Sequence, residues 1–228
     1  MDSKKILYTI IIPAWREEKG LPVVLSKVYQ IIDDTYEVIV VDDGSDDGTS
    51  RVASQFPCRV IRHEINKGKG ESILTGAKNA VSDNLIYIDA DDTYPPDAIP
   101  QIAQALQKYD MVLGSRRYGQ NNIPLFNRLG NYVLRNMIRN LYGFKPYDPL
   151  TGLWGIKKWQ LFRCAPTVRF APDAEICMKA GKLKLKTFDI SITYAPRMGK
   201  TKLPPIKAGF QHLNLILGLL FWKPETTR

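Results

Sequence analysis

Residues 85–96, LIYIDADDTYPP, join an apolar run of strand length to a dense group of acids. Leu85, Ile86, Tyr87 and Ile88 predict a buried strand, and Pro95 with Pro96 stops any regular continuation. Between them stand Asp89, Asp91 and Asp92. Carboxylates this close repel one another, and a strand end requires none of them. A hard divalent cation gives them a purpose: Asp89 and Asp91 as oxygen ligands that hold Mg²⁺ or Mn²⁺ against a substrate's phosphates. A solvated acidic loop is the plain alternative. The position favours the cation, because ligands of open α/β sheets bind at the carboxyl ends of strands.

Outward from this stretch, short apolar runs alternate with helical patterns. Strands are expected at 8–12, 37–41, 59–62, 85–88 and 111–113, and helices at 21–32, 49–55, 71–81 and 98–108. In the third helix Ile73, Leu74, Ala77, Ala80 and Val81 fall on one face. Such alternation implies right-handed crossovers and a mostly parallel, Rossmann-like sheet with helices on both faces. Every expected strand ends in charged or Gly-rich sequence: PAWREE after the first, DDGSDDGT after the second, NKGKG after the third, the acids after the fourth and GSRR after the fifth. Beyond Arg117 the pattern changes to helices at 125–141, 174–180 and 207–222, a short apolar run at 153–156 and a strand at 185–194. Residues 1–117 thus read as the binding half and 118–228 as a lid on the same continuous domain.

The chain has 228 residues, 44% hydrophobic and 24% charged, which suits an ordinary folded domain. Its formal net charge of +9, from 32 Lys and Arg against 23 Asp and Glu, calls for anionic partners. Cys58, Cys164 and Cys177 have no metal-ligand spacing and cannot all pair, which points to the reducing cytoplasm. The N-terminal apolar run is too short for a secretory signal, and no stretch reaches the roughly 18 apolar residues that span a bilayer.

Two nucleotide and metal motifs fail on inspection. Asp43, Ser45, Asp47 and Gly48 fit the start of a calcium loop, but its twelfth position falls on Ser54 and a strand precedes it. Lys67-Gly68-Lys69-Gly70 approximates a P-loop whose leading glycine would be His63. Gly68 and Gly70 can still let backbone amides approach a phosphate. Asp89-Ala90-Asp91-Asp92-Thr93 after a strand also resembles the first motif of haloacid-dehalogenase phosphatases, with Asp89 as nucleophile. The acidic pair that would complete that site is missing, since Asp148, Asp173 and Asp189 stand singly.

Taken together, the strand ends resemble family-2 glycosyltransferases of the GT-A fold across nearly the whole chain. IIPAWREE is similar to that family's IPAYNEE, VIVVDDGSDDGT to its second-strand signature, NKGKGESILTG to its N-x-GKG turn, IDADDTYPP to its DxD region and VLGSRR to its GSR. DPLTGLWGI, DAEICMKA and YAPRMGKTKL resemble the polyprenyl-phosphate sugar synthases, which include dolichyl-phosphate mannose and glucose synthases. Arg16 departs from the family's Asn, and Lys200-Thr201 from the more usual Glu-Ser. The resemblance implies a nucleotide-sugar donor bound by Pro13, Trp15, Glu17, Val41, Asp43, Lys69 and Ala90, with Asp43 on the base or ribose. It places Asp89 and Asp91 at the metal and ribose, Thr93 at the rim, and Arg116 and Arg128 where negative charge develops.

A lipid phosphate acceptor arrives anionic and needs positioning, for which Arg197 and Lys202 are suited. A glycan hydroxyl would need a base, with Asp148 and Glu175 as candidates. The last helix and its basic surroundings suit peripheral contact with the cytoplasmic leaflet, though core packing or dimer formation fits the pattern equally. The expected activity is inverting hexosyl transfer to a polyprenyl phosphate, with nucleotide and lipid phosphate rather than nucleic acid as the anionic partners.

Overall fold

The computed structural model describes residues 5–118, 123, 125–196 and 205–224. Its first half is five strands, β1 (Tyr8–Ala14), β2 (Tyr36–Asp42), β3 (Arg59–Arg62), β4 (Asn84–Ile88) and β5 (Met111–Arg116). Between them lie α1 (Leu21–Tyr29), α2 (Thr49–Ala53), α3 (Lys69–Asn79) and α4 (Ile99–Ala105), the last entered through a 3-10 turn at Pro96–Ala98. The second half adds α5 (Leu125–Tyr142), β6 (Leu153–Lys157), α6 (Lys158–Arg163), α7 (Pro172–Lys182), β7 (Thr187–Ile192) and α8 (Pro205–Gly218).

The strands form one sheet in the order β3-β2-β1-β4-β6-β5-β7. All pairings are parallel except those of β6, which runs antiparallel between β4 and β5. The apolar run at 153–156 is therefore a central strand, and the second half supplies two strands of the sheet besides its cover. Leu153, Trp154 and Ile156 are buried, so the run shows no alternation by which periodicity could tell strand from helix.

Successive residues of each strand feed opposite faces. Ile10, Ile12, Val38, Val40, Ile86 and Ile88 pack with Leu21, Val24 and Leu25 of α1 and Ile99 and Ile102 of α4. Ile11, Ile39, Val41, Leu85 and Tyr87 pack with Ile73 and Ala77 of α3, Ile138 of α5 and Ile176 of α7. On that face α3 lies so close to β1 that a Cβ on Gly76 would stand 2.5 Å from Ile11 Cγ2. The helix expected over 21–32 stops at Tyr29, beyond which the Ile31 amide bonds the Val28 carbonyl three residues back in a tightened last turn. In register, Ala14 pairs with Asp42 and Ile88 with Leu153. The polar sequences that follow β1, β2 and β4 thereby emerge at one edge of the sheet, beside the turn that leads into β6.

Candidate active site

At the end of β2 the two acids do different work. Asp42 is wholly buried, accepts from the Ser45 amide at 2.9 Å and is hydrogen-bonded by the Ser50 hydroxyl, which closes the DDGS turn. Asp43 accepts from the amides of Lys67 and Gly68 at 2.9 and 2.8 Å and faces His63 Nδ1 at 2.8 Å. A carboxylate can only accept, so Nδ1 carries the imidazole proton. Asp43 thus builds the NKGKG turn ahead of α3. Gly68 (φ +98°) packs there against Arg169, whose Cβ would lie 2.7 Å from any Cβ at that position.

Pro13 and Trp15 are half-buried at the end of β1, and Glu17 is buried, its amide donating to Thr49 Oγ1 at 2.9 Å. Arg16, where the family has Asn, adopts φ +54°, lies over the Trp15 ring and pairs with Asp46 at 2.6 Å. The Val41 and Ala90 side chains are both packed into the core, which leaves their backbone as the part able to line a pocket.

The acids after β4 part company. Asp92, at φ +61°, turns away to Lys27 at 2.7 Å. Asp91 is buried and its Oδ1 accepts from the Thr93 hydroxyl at 2.6 Å and amide at 3.2 Å. Asp89 extends the β4–β6 ladder by donating its amide to the Gly152 carbonyl at 2.9 Å. Its Oδ1 meets the Tyr87 hydroxyl and lies 3.0 Å from Lys69 Nζ. Lys69 also donates to Asp173 at 2.7 Å. Burial works against the Lys69 charge, yet Asp173 and Asp89 outweigh it and push its pKa up. After β7 the chain returns to this loop, where the Ala195 amide donates to Thr93 and Tyr194 packs edge-on against Tyr94.

Gly152 is what lets Asp89 sit there. A Cβ at that position would fall 1.9 Å from Asp89 Oδ2 and 2.7 Å from Tyr94 Cε2. Gly152→Ala must therefore turn the Asp89 carboxylate aside. The expected result is a loss of about a hundredfold in turnover, measured by initial rates, because a misplacement near 1 Å has that effect on a positioned group.

Beyond β5 the charges are cationic. Arg116 is buried and bidentate to Asp148, Nε to Oδ2 at 2.6 Å and Nη2 to Oδ1 at 2.9 Å, with Nη2 also on the Leu150 carbonyl. Burial would raise the Asp148 pKa, but Arg116 overrides it and holds the acid below its ordinary value. Next to this pair opens a cleft of about 360 Å³ lined by Arg128, Arg135, Tyr132, Tyr147, Leu125 and Leu129. The guanidinium of Arg135 lies over the Tyr147 ring at 4.3 Å. Glu175 is fully buried, accepting from Thr167 and Val168 and paired with Lys179 at 2.7 Å. Arg197 and Lys202 lie outside the described residues.

Asp89, Asp91, Thr93, Lys69 and Arg116 thus share one edge of the sheet. Sequence reasoning gave no role to Tyr87, Trp154, Gly152 or Arg135, although all but Arg135 stand within motifs already quoted, LIYIDADD and DPLTGLWGI. Among the described residues no three His, Cys, Asp or Glu side chains come close enough to cage a metal. Two carboxylates at a strand mouth fit a cation of the magnesium type, which takes one or two protein acids and completes its shell with phosphate oxygens and water.

The model of the family described as Glycosyl transferase family 2 matches residues 9–169. The chain belongs to that family. It is 29% identical over 202 residues to a dolichyl-phosphate hexose transferase of Haloferax volcanii, covering 88% of each chain. It is 30% identical over 236 residues to a dolichol-phosphate mannosyltransferase of Pyrococcus furiosus, covering 96% of this chain and 65% of that protein. This family-2 chain thus spans about two thirds of the mannosyltransferase's length. Its fold is that of the GT-A glycosyltransferases. Glucosyl-3-phosphoglycerate synthase of Mycobacterium tuberculosis superposes with a TM-score of 0.75 at 19% identity, over 96% of this chain and 81% of that one. The phosphatase alternative loses its footing: the family is one of glycosyltransferases, Asp148 and Asp189 go to Arg116 and Ser115, and Asp173 reaches Asp89 only through Lys69.

Proposed function

We propose that this family-2 glycosyltransferase moves a hexose from a nucleotide sugar of the GDP-mannose or UDP-glucose type to a polyprenyl phosphate, with inversion, at the cytoplasmic membrane face. The observation that carries this reading is the Arg128–Arg135 cleft, which sets cations beside apolar side chains next to the Arg116–Asp148 pair. A lipid phosphate matches both halves of such a cleft: arginine forks bind its oxygens, and Leu125 and Leu129 meet its chain. The names of the Haloferax and Pyrococcus relatives support the same acceptor class.

A hydroxyl acceptor needs a carboxylate to take its proton. Asp148 is paired with Arg116 and Glu175 is buried beside Lys179, which supports an acceptor that needs no base. A phosphate needs only to be aimed at the anomeric carbon, and attack from the face opposite the nucleotide inverts the centre. Asp89 and Asp91 would hold Mg²⁺ or Mn²⁺, which neutralises the departing diphosphate. Manganese accompanies UDP in a crystal structure of the mycobacterial synthase, which supports a divalent ion here. Asp43 would meet the base or ribose from the turn it builds with Lys67 and Gly68, and Arg116 would add positive charge beside the cleft. Leu125 (78% exposed) on α5 and Phe221 (89% exposed) just beyond α8 suit shallow insertion in a leaflet. No described helix is long and apolar enough to cross a membrane.

Incubation of the protein with Mn²⁺ and radiolabelled GDP-mannose or UDP-glucose tests the acceptor. Label is expected to pass to a short polyprenyl phosphate and not to an oligosaccharide. Transfer to the oligosaccharide alone would overturn the reading.

A further inference from the structure

The acid at the centre of the site is joined through a half-buried ammonium to a carboxylate that plays no part in the transfer described above. Lys69 Nζ stands 3.0 Å from Asp89 Oδ1 and 2.7 Å from Asp173 Oδ2. Asp173 Oδ1 in turn accepts from the Trp154 indole N–H at 2.9 Å. That indole stacks on Tyr87 at 4.8 Å, and the Tyr87 hydroxyl donates to the same Asp89 oxygen that Lys69 faces. Trp154 therefore fixes Asp173, Asp173 fixes Lys69, and Lys69 occupies Asp89. A divalent ion arriving at Asp89 meets a positive charge already seated on one of its oxygens, and like charges that close repel strongly in a partly buried site.

We propose that Lys69 is a tethered cation that the divalent ion displaces from Asp89, and that Asp173, held by Trp154, keeps the displaced ammonium. The inference rests on the reading of Asp89 and Asp91 as cation ligands. Lys69 then acts as a positioning residue that neutralises Asp89 until the ion arrives. Asp173 decides how readily it yields. With Asp173 present the ammonium retains a carboxylate when it lets go of Asp89, and without it none among the described residues remains.

Removing either partner shifts cation affinity in opposite directions. Free Mn²⁺ is followed by electron paramagnetic resonance while the 228-residue protein is titrated in, without nucleotide. Lys69→Met is expected to tighten Mn²⁺ binding about tenfold, and Asp173→Asn to weaken it about tenfold, the scale on which one neighbouring charge shifts an ionic equilibrium. The double variant should bind as Lys69→Met does, because Asp173 acts through Lys69. Lys69→Arg, which keeps the charge, should stay within about threefold of the unaltered protein. Weaker or unchanged affinity in Lys69→Met overturns the proposal. Should that variant not fold by circular dichroism, unchanged affinity in Asp173→Asn does so instead. Loss of Mn²⁺ binding in every form, the unaltered protein included and with GDP or UDP added, would overturn the cation reading beneath it.

Discussion

Asp91→Asn is expected to slow sugar transfer by about a thousandfold while leaving the fold intact. The side chain is buried, and its Oδ1 takes the Thr93 hydroxyl and amide. An amide of the same shape presents an oxygen there as well, so the turn after β4 keeps its form. What disappears is the negative charge. Without it a bound cation would lose one of the two acids proposed to hold it, and the charge on the departing diphosphate would be less neutralised. Initial rates with a labelled donor measure the first effect, and thermal unfolding by circular dichroism checks that the midpoint stays within a few degrees. A rate within tenfold of the unaltered protein would remove Asp91 from the cation's shell.

Asp148→Ala tests a different link, from packing to stability. Arg116 reaches Asp148 through its amide, Nε and Nη2, and the Leu150 amide adds a fourth contact at 3.3 Å. The variant leaves a buried guanidinium without its carboxylate, for which a loss of about 3–5 kcal/mol is expected. At roughly 2–4 °C per kcal/mol for a chain of this size, the melting midpoint should fall by about 6–20 °C. The pair also carries a pH signature. The Asp148 pKa in the fold lies below its ordinary value of 3.8, so its contribution is complete above that value and is lost as pH falls through the lower one. Urea unfolding at pH 7 and pH 3 should show a gap between variant and parent that narrows in acid. A gap of equal size at both values would mean the carboxylate's charge contributes nothing.

The sequence was most informative where chemistry and strand ends coincide. β4 was legible as the apolar run that ends abruptly at Asp89 and Asp91. The chain's later strands were less so. Leu153 to Lys157 lies between two other strands, and a run buried on both faces carries no alternation. Nothing local announces that it runs antiparallel or that Gly152 lies against Asp89. Partnerships were the least legible of all. Asp43, expected at the base or ribose, also takes His63 and the amides of Lys67 and Gly68, and Asp148, a candidate base, pairs with Arg116. Pairings across 20 to 32 residues are set by the fold and leave no spacing to read.

In the proposed mechanism Asp89 and Asp91 share a divalent ion with the donor's diphosphate. Isothermal titration of GDP and UDP into the protein, with and without Mn²⁺, examines it most directly. At least one nucleotide should bind more than about tenfold tighter with the metal, and Asp91→Asn should abolish that gain. Equal affinity with and without Mn²⁺, or a metal-dependent gain that survives Asp91→Asn, would contradict the account.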